Sequence, residues 1–499
     1  MGQVLVALDV GTSAVKGLAF SEDGEVILQD RVAYTLSSLP GDRVEQDAKQ
    51  LLEGVRHVLS SLCRGLSERS HHVLALCLSG TMHTLLATDQ RGEPLTPVMT
   101  WADNRARSDA QDLSRLFGTS LYARTGVPTH AMLPVCKLRW LAREQPGLWE
   151  QAAHFGSFKE WLTWNLTGTW VVDEATAAAS GLWNLHSRTW DAGLLVQIAV
   201  GPERLSAIVP TDHVLSVSGS FAHRCGLPAS ALIVVGATDG VLANLGTVGL
   251  DGDWLAMSVG TSCAVRRGVR EPVLDATARS FCYPLDSGHW ISGGASNSGA
   301  MVWSRVAQWL GLGEEPGPGA GHEETGLVEA LFALADGASP GSDGLQFLPY
   351  LAGERAPLYD DGATGAWVRL TLTHGRAQLA RASIEGVAYV LRWIATALPS
   401  DVKGVVLSGG VANAPLWRQT VADVFDLPVV RSSVPESVCY GAWRLGARAL
   451  RVLSAAEFGI APLRQEEPVY PSPSVRRVHD ERFAEFVELT SMARGTGNR

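Results

Sequence analysis

Apolar positions run almost unbroken through VLVALDV at 4–10, AVKGLAF at 14–20 and EVILQDRVAYTL at 25–36, with Asp23-Gly24 marking the second join. Runs of this length joined by tight turns predict an antiparallel meander. Over 46–63 the period changes, because Leu51, Leu52, Val55, Val58, Leu59 and Leu62 fall on one face of a helix. Another apolar strand, VLALCLSG at 73–80, follows, and strands and helices alternate from there. This is the pattern of an α/β layer architecture.

A second strand, WLAMSVG at 254–260, enters Thr261-Ser262 much as LDVG enters Thr12-Ser13, and CAVRRG at 263–268 leaves the turn as AVKGLAF does. The two halves read as copies of one plan. A third Gly-Thr-Ser at 118–120 follows the helical stretch 104–117, so its backbone context differs. Among 52 glycines, chance matches of three letters are expected, and only the strand–turn–strand setting separates the other two. The domain boundary is placed near 248, in the Gly-rich run Gly240 to Gly252, giving domains 1–248 and 249–499. The stretch GLGEEPGPGAGHEET at 311–325 has no periodic apolar face and reads as a surface loop.

With 499 residues and 46% hydrophobic content, the chain can bury more than one core. A net charge of −10 argues against nucleic acid or an anionic membrane surface as a partner. Near the C-terminus, Arg476, Arg477 and Arg482 are interleaved with Asp480, Glu481 and Glu485, a mixed solvated face. The seven cysteines form no close pair of the kind that binds zinc or drives redox chemistry, and an odd scattered count points to a reducing compartment. The start runs straight into a strand rather than a basic leader and apolar core, and no run of about 18 apolar residues occurs. The expected location is cytoplasmic.

Phosphoryl transfer needs a phosphate cradle, a divalent cation and a base for the attacking hydroxyl. Asp9-Val10-Gly11-Thr12-Ser13 ends an apolar strand, setting a carboxylate beside a turn whose amides and hydroxyls can face phosphate oxygens, with Lys16 one step on. The alternative is an ordinary strand turn capped by Asp and Thr. The second copy, Gly260-Thr261-Ser262, favours the cradle, since two such turns facing each other would hold a phosphate chain from both sides. Asp239, in VVGATDG at 234–240, sits near the proposed hinge and is the choice for general base; a helix N-cap is the alternative role. Ser408, Gly409 and Gly410, followed by Asn413, offer a backbone platform for a purine.

Together these residues resemble the FGGY carbohydrate kinases of the actin-like ATPase superfamily, from Val4 to about Leu453. MLPVCKLRWLARE at 132–144 fits the family's first signature, with Lys137 and Trp140 in place. GAWVRLTLTHGRAQLARASIEG at 365–386 fits the second through Gln378, Ala382 and Glu385, but Arg369 stands where the family usually has glycine. The resemblance implies two actin-like (ribonuclease H-like) domains with an interdomain catalytic cleft, and ATP with Mg2+ as cofactors. It implies that Asp9 helps to place the magnesium ion, that Thr12, Ser13, Gly260 and Thr261 hold phosphates, and that Asp239 accepts the hydroxyl proton. Ser408, Gly409, Gly410 and Asn413 would line the adenine side.

Substrate selection would fall to Gly80-Thr81-Met82-His83 and Thr100-Trp101-Ala102-Asp103-Asn104-Arg105, hence to Met82, His83, Trp101, Asp103 and Arg105. These segments are most similar to gluconokinases and less similar to xylulokinases. A sugar acid carries a carboxylate for which Arg105, His83 or Lys159 is a candidate partner. Outside the family context His83 reads as a structural histidine and Arg105 as a surface group. The loop Tyr350 to Pro357 is also similar to the gluconokinase version, with Glu354 and Arg355 both open as substrate contacts. The expected partner is a small sugar or sugar acid, and a homodimer is left open. The rivals are a pentulose or polyol kinase, a non-catalytic nucleotide- or sugar-binding protein on the same fold, and a chaperone-like ATPase of the same superfamily.

Overall fold

Strands that are apolar on both faces must be covered on both, and the chain does this with two mixed sheets, each the base of one α/β domain. The computed structural model describes residues 2–250, 252–313, 323–460 and 466–496. Of the predicted loop 311–325, residues 314–322 lie outside the described residues, and helix Glu323–Ala335 begins within the rest.

The first sheet contains β1 (Gly2–Val10), β2 (Ala14–Phe20), β3 (Val26–Ala33), β4 (His71–Gly80), β5 (Val214–Ser216) and β6 (Leu232–Thr238), in the order β5-β6-β4-β1-β2-β3. The second contains β7 (Trp254–Val259), β8 (Cys263–Val269), β9 (Phe281–Pro284), β10 (Trp290–Ser296), β11 (Gly404–Ser408) and β12 (Val429–Arg431), in the order β9-β10-β8-β7-β11-β12. In each, the first strand pairs antiparallel with its meander neighbour and parallel with the strand on its other side. The plan read from the two Gly-Thr-Ser turns is thus repeated, with one extra antiparallel strand on opposite edges, β5 beside β6 and β9 beside β10.

Register aligns the strand ends. Asp9 lies opposite Ser79, Gly80 lies opposite Thr238, and Ser258 lies opposite Ser408. The turns after β1, β4 and β6 therefore share one edge of the first sheet, as do those after β7 and β11 on the second. Crevices of this kind, at the carboxyl ends of parallel strands, are where α/β sheets bind ligands.

The predicted helix is α1 (Ala48–Glu68); Leu51, Leu52, Val55, Val58, Leu59 and Leu62 are buried, and Asp47 caps its start through the amides of Lys49 and Gln50 at 2.8 and 3.0 Å. Two further helices join the sheets, α2 (Asp239–Val248) and α3 (Ser437–Ala449). Although late in sequence, α3 packs on the first sheet, its Trp443 and Leu445 sharing a core with Leu5, Leu18, Phe20 and Cys77. On its other side α2 meets the second sheet, Val248 packing with Ala256, Val406 and Val430. Where α2 and α3 cross, their backbones touch: a Cβ on Gly246 would stand 1.9 Å from the Ser437 carbonyl oxygen, and one on Gly441 2.0 Å from that of Leu242. No described helix is long and apolar enough to cross a membrane.

The signature residues have structural work. Lys137 is wholly buried and donates to the carbonyls of His83 at 2.8 Å and Thr100 at 2.6 Å, tying together the loops after β4 and around Trp101. Burial pulls its pKa down to about 7. Glu385 accepts from the Gly341 amide, Ser342 Oγ and Arg381 Nε, each at 2.9 Å. Arg369 has a φ of 67°, a left-handed conformation in which glycine is unstrained, so the loop keeps that backbone and anchors the longer side chain on Glu485 at 2.8 Å.

Replacing a helical glycine by alanine ordinarily gains about 1 kcal/mol. For Gly246→Ala the sign is expected to reverse, with a loss of about 1–3 kcal/mol in urea unfolding. Gly147→Ala, where a Cβ meets nothing within 4 Å, is the control that does not lose stability.

Candidate active site

Asp9 ends β1 beneath the cleft, 7% exposed, with Oδ1 accepting from Ser79 Oγ at 2.8 Å. Burial, and then the charge of Asp239, push its pKa up to about 6. The turn beyond it closes through Gly11 N–H to the Ala14 carbonyl at 3.0 Å. Thr12 Oγ1 accepts from Trp101 Nε1 at 3.1 Å and its carbonyl accepts from Gln46 at 2.9 Å, while Ser13 is exposed. The second turn closes through Gly260 N–H to the Ser262 carbonyl at 2.9 Å and leaves Gly260 and Thr261 exposed. Lys16 reaches the cleft but is paired with Glu436 across the two domains at 2.8 Å.

The larger cavity, about 870 Å³, is walled by Lys16, Asp239, Gly260, the segment Leu407–Gly410, Asn413 and the loop Ser432–Glu436. Ser408, Gly409, Gly410 and Asn413 are thus brought to one wall. Gly409, at φ 96°, could not be another residue, since a Cβ would stand 2.1 Å from the Val259 carbonyl oxygen. Asn413 is oriented by a hydrogen bond from Arg431 to its Oδ1.

The smaller cavity, about 170 Å³, is lined by Thr12, Met82, His83, Trp101, Asp239, Arg266, Arg355 and Tyr359 among others. His83, at φ 62°, has Nδ1 2.7 Å from the Ala179 carbonyl, so Nδ1 carries the hydrogen and Nε2 is an acceptor. Burial lowers its pKa to about 3, and the ring is neutral. It therefore suits a hydroxyl and cannot supply the cation expected of it for a carboxylate.

The other two expected cations are engaged elsewhere. Arg105 is bound by Asp103, with Nε to Oδ1 at 2.8 Å, and by Glu45, and it lies over the Trp140 ring at 4.9 Å. Asp103 is fully buried and also accepts from the Val44 amide at 2.9 Å. Neither residue lines the cavity; they hold the loop that presents Trp101. Lys159 is buried against Asp173 at 2.7 Å.

Two guanidiniums from the second domain stand in their place. Arg355 lies over the Trp101 ring at 4.4 Å, with Nε donating to Asn297 Oδ1 at 2.8 Å and Nη2 to the Ser296 carbonyl at 3.1 Å. Its neighbour Glu354 is turned away from the cavity, accepting from Ser296 Oγ, Asn297 N–H and Ser298 Oγ at 2.7, 2.7 and 2.8 Å, and burial pushes its pKa up to about 7. Arg266, on β8, was not singled out from sequence. Its signal is Arg266-Arg267 within an otherwise apolar central strand, which sends one guanidinium to each face.

Asp239 lines both cavities. It is the first residue of α2; Thr238 takes the cap position, so the N-cap role does not fall to Asp239. Oδ1 accepts from the Gly240 amide at 2.7 Å. Burial raises its pKa, opposed by Arg266, by the amides of Gly240 and Met82, and by Arg355. No cluster of three or more His, Cys, Asp or Glu suited to a metal occurs among the described residues. A divalent ion beside Asp9 would draw its remaining oxygen ligands from phosphates and water, the usual habit of magnesium.

Residues 4–246 match the N-terminal domain, and residues 255–450 the C-terminal domain, of the FGGY family of carbohydrate kinases. The chain is 34% identical to a gluconokinase of Bacillus subtilis over 464 residues, covering 90% of this chain and 88% of that protein. It is 25% identical to a xylulose kinase of Lactococcus lactis, covering 89% and 87%. Among solved structures, a gluconate kinase from Lactobacillus acidophilus superposes with a TM-score of 0.91 at 31% identity, covering 99% of both chains. A ligand-bound xylulose kinase from the same organism gives 0.91 at 31%, covering 98% of both.

A carboxylate whose folded pKa is raised from 3.8 to about 6 binds its proton more tightly folded than unfolded. Folding stability is therefore lost as pH rises through that window, by up to about 3 kcal/mol. Asp9→Asn is expected to be more stable than the native protein at pH 8 and to lose that advantage at pH 4, measured by urea unfolding.

Proposed function

Because the chain belongs to the FGGY family of carbohydrate kinases, we propose that the sugar it phosphorylates with ATP is D-gluconate. The observation that carries this reading is Arg355, a buried guanidinium in the wall of the smaller cavity that lies over Trp101 and has no carboxylate bonded to it among the described residues. An anionic polyol supplies that carboxylate and a neutral sugar does not. Arg355, stacked on Trp101 with Nη1 free of protein hydrogen bonds among the described residues, is the carboxylate anchor. Neutral His83 accepts from a hydroxyl, and Asp239 takes the proton of the hydroxyl that attacks.

The larger cavity takes ATP, with the purine against Ser408–Gly410 and Asn413 and the phosphates between the turns bearing Thr12 and Ser13 and bearing Gly260 and Thr261. Lys16 must exchange Glu436 for phosphate to take part. Asp9, short of a cation in its buried site, is the residue that would hold Mg2+, which when bound offsets phosphate charge. A pentulose such as xylulose is the second reading, favoured by the hydroxyl-binding character of His83 and by the likeness to xylulose kinases.

A coupled ADP-release assay across gluconate, xylulose, ribulose, glycerol and erythritol is expected to give gluconate the highest kcat/KM; a tenfold preference for xylulose would overturn the reading. Arg355→Gln is expected to raise the KM for gluconate at least tenfold while leaving any xylulose turnover within about threefold. Asp239→Asn is expected to lower kcat about 10²–10⁴-fold.

A further inference from the structure

Asp239, Ser258 and Arg266 line both cavities. A group passing from one cavity to the other moves between them. Asp239 has its role as the base, and Ser258 Oγ accepts from Arg266 Nη1 at 3.2 Å. Arg266 remains to be explained.

Its state is unusual for a buried arginine. It is 9% exposed, its Nε is buried with no hydrogen-bond partner, and it forms no ion pair among the described residues. Arg267, the next residue on the same strand, donates to the Gly252 carbonyl at 2.6 Å and pairs with Asp401 at 2.8 Å. Burial lowers the Arg266 pKa and Asp239 is the first influence opposing it, yet a guanidinium is too basic to lose its charge. A buried cation kept without a bound anion is costly unless an anion arrives. Gly240 lets Arg266 lie close to the start of α2, since a Cβ there would stand 3.2 Å from Arg266 Nε and 2.3 Å from Met82 Cε.

We propose that Arg266 is a catalytic residue that binds the γ-phosphoryl oxygens while that group lies between ADP and the acceptor. The proposal rests on the kinase reading of the two cavities and not on which sugar fills the smaller one. The acceptor hydroxyl oxygen forms a bond to the γ-phosphorus as the bond from that phosphorus to the β,γ-bridging oxygen breaks. The electron pair of the broken bond stays on the β-phosphate of ADP, and the hydroxyl proton passes to Asp239. Charge spread over the equatorial oxygens peaks at the junction, where the Arg266 guanidinium supplies a fixed positive charge. Of the two cavities, Arg355 lines only the smaller.

The test uses Arg266→Gln and Arg266→Lys in the full chain, with whichever sugar of the panel the native protein phosphorylates, so that failure of the gluconate reading leaves it intact. Arg266→Gln is expected to lower kcat about 10²–10³-fold, with sugar KM and ADP affinity within about threefold. Binding of ADP with aluminium fluoride in the presence of the sugar should weaken by a similar factor, a change that a merely structural role does not produce. A folded Arg266→Gln protein with near-native kcat, or one whose loss lies wholly in sugar KM with aluminium fluoride binding retained, overturns the assignment. Should Arg266→Gln not fold, Arg266→Lys decides by the same criteria, with a smaller expected loss because a charge is kept without the planar fork.

Discussion

Two carboxylates, buried Asp9 and half-buried Asp239, stand at the ends of strands in one sheet, close enough for the charge of Asp239 to raise the pKa of Asp9. Much of the cleft can be read as an answer to that repulsion. Ser79 donates to one carboxylate, the Gly240 amide and the start of α2 receive the other, and Arg266 and Arg355, from the second domain, oppose the rise that burial gives the Asp239 pKa. On our reading the remaining deficit, at Asp9, is what a divalent cation and a nucleotide make good.

Holding charges from two domains in register requires a rigid frame. Crossing α2 on α3 through Gly246 and Gly441 brings two backbones into contact, and α2 packs both on the first sheet's core through Val241, Leu242 and Leu245 and on the second sheet through Val248. Lys137 does the equivalent work within the first domain, using two carbonyls to fix the loops that carry His83 and Trp101. Only a side chain with N–H donors can make that tie, which an apolar residue of the same reach could not.

The central strands of both sheets were legible in the sequence, because buried parallel strands leave long apolar runs and the strand–turn–strand unit around Gly-Thr-Ser recurs, whereas β5, β9, β10 and β12, toward the sheet edges, were not. Residues at strand ends, such as Asp9, Asp239 and Ser408, were legible too, since the turn that exposes them is local. Arg105, Lys159 and His83 were misjudged as carboxylate partners for one reason: each has a neighbour, Asp103 and Glu45, Asp173, or the Ala179 carbonyl, that spacing along the chain did not reveal. Arg266 was missed for the converse reason. An arginine in a central strand gains meaning only when the other domain's Asp239 is seen beside it.

On our reading the two cavities are halves of one transfer site, joined at Asp239 and Arg266. The decisive measurement is a crystal structure with gluconate and a non-hydrolysable ATP analogue. The terminal phosphate is expected within hydrogen-bond reach of Arg266 and a substrate hydroxyl within reach of Asp239, with the carboxylate on Arg355. A terminal phosphate lying outside the junction, with Arg266 still unpartnered, would contradict it.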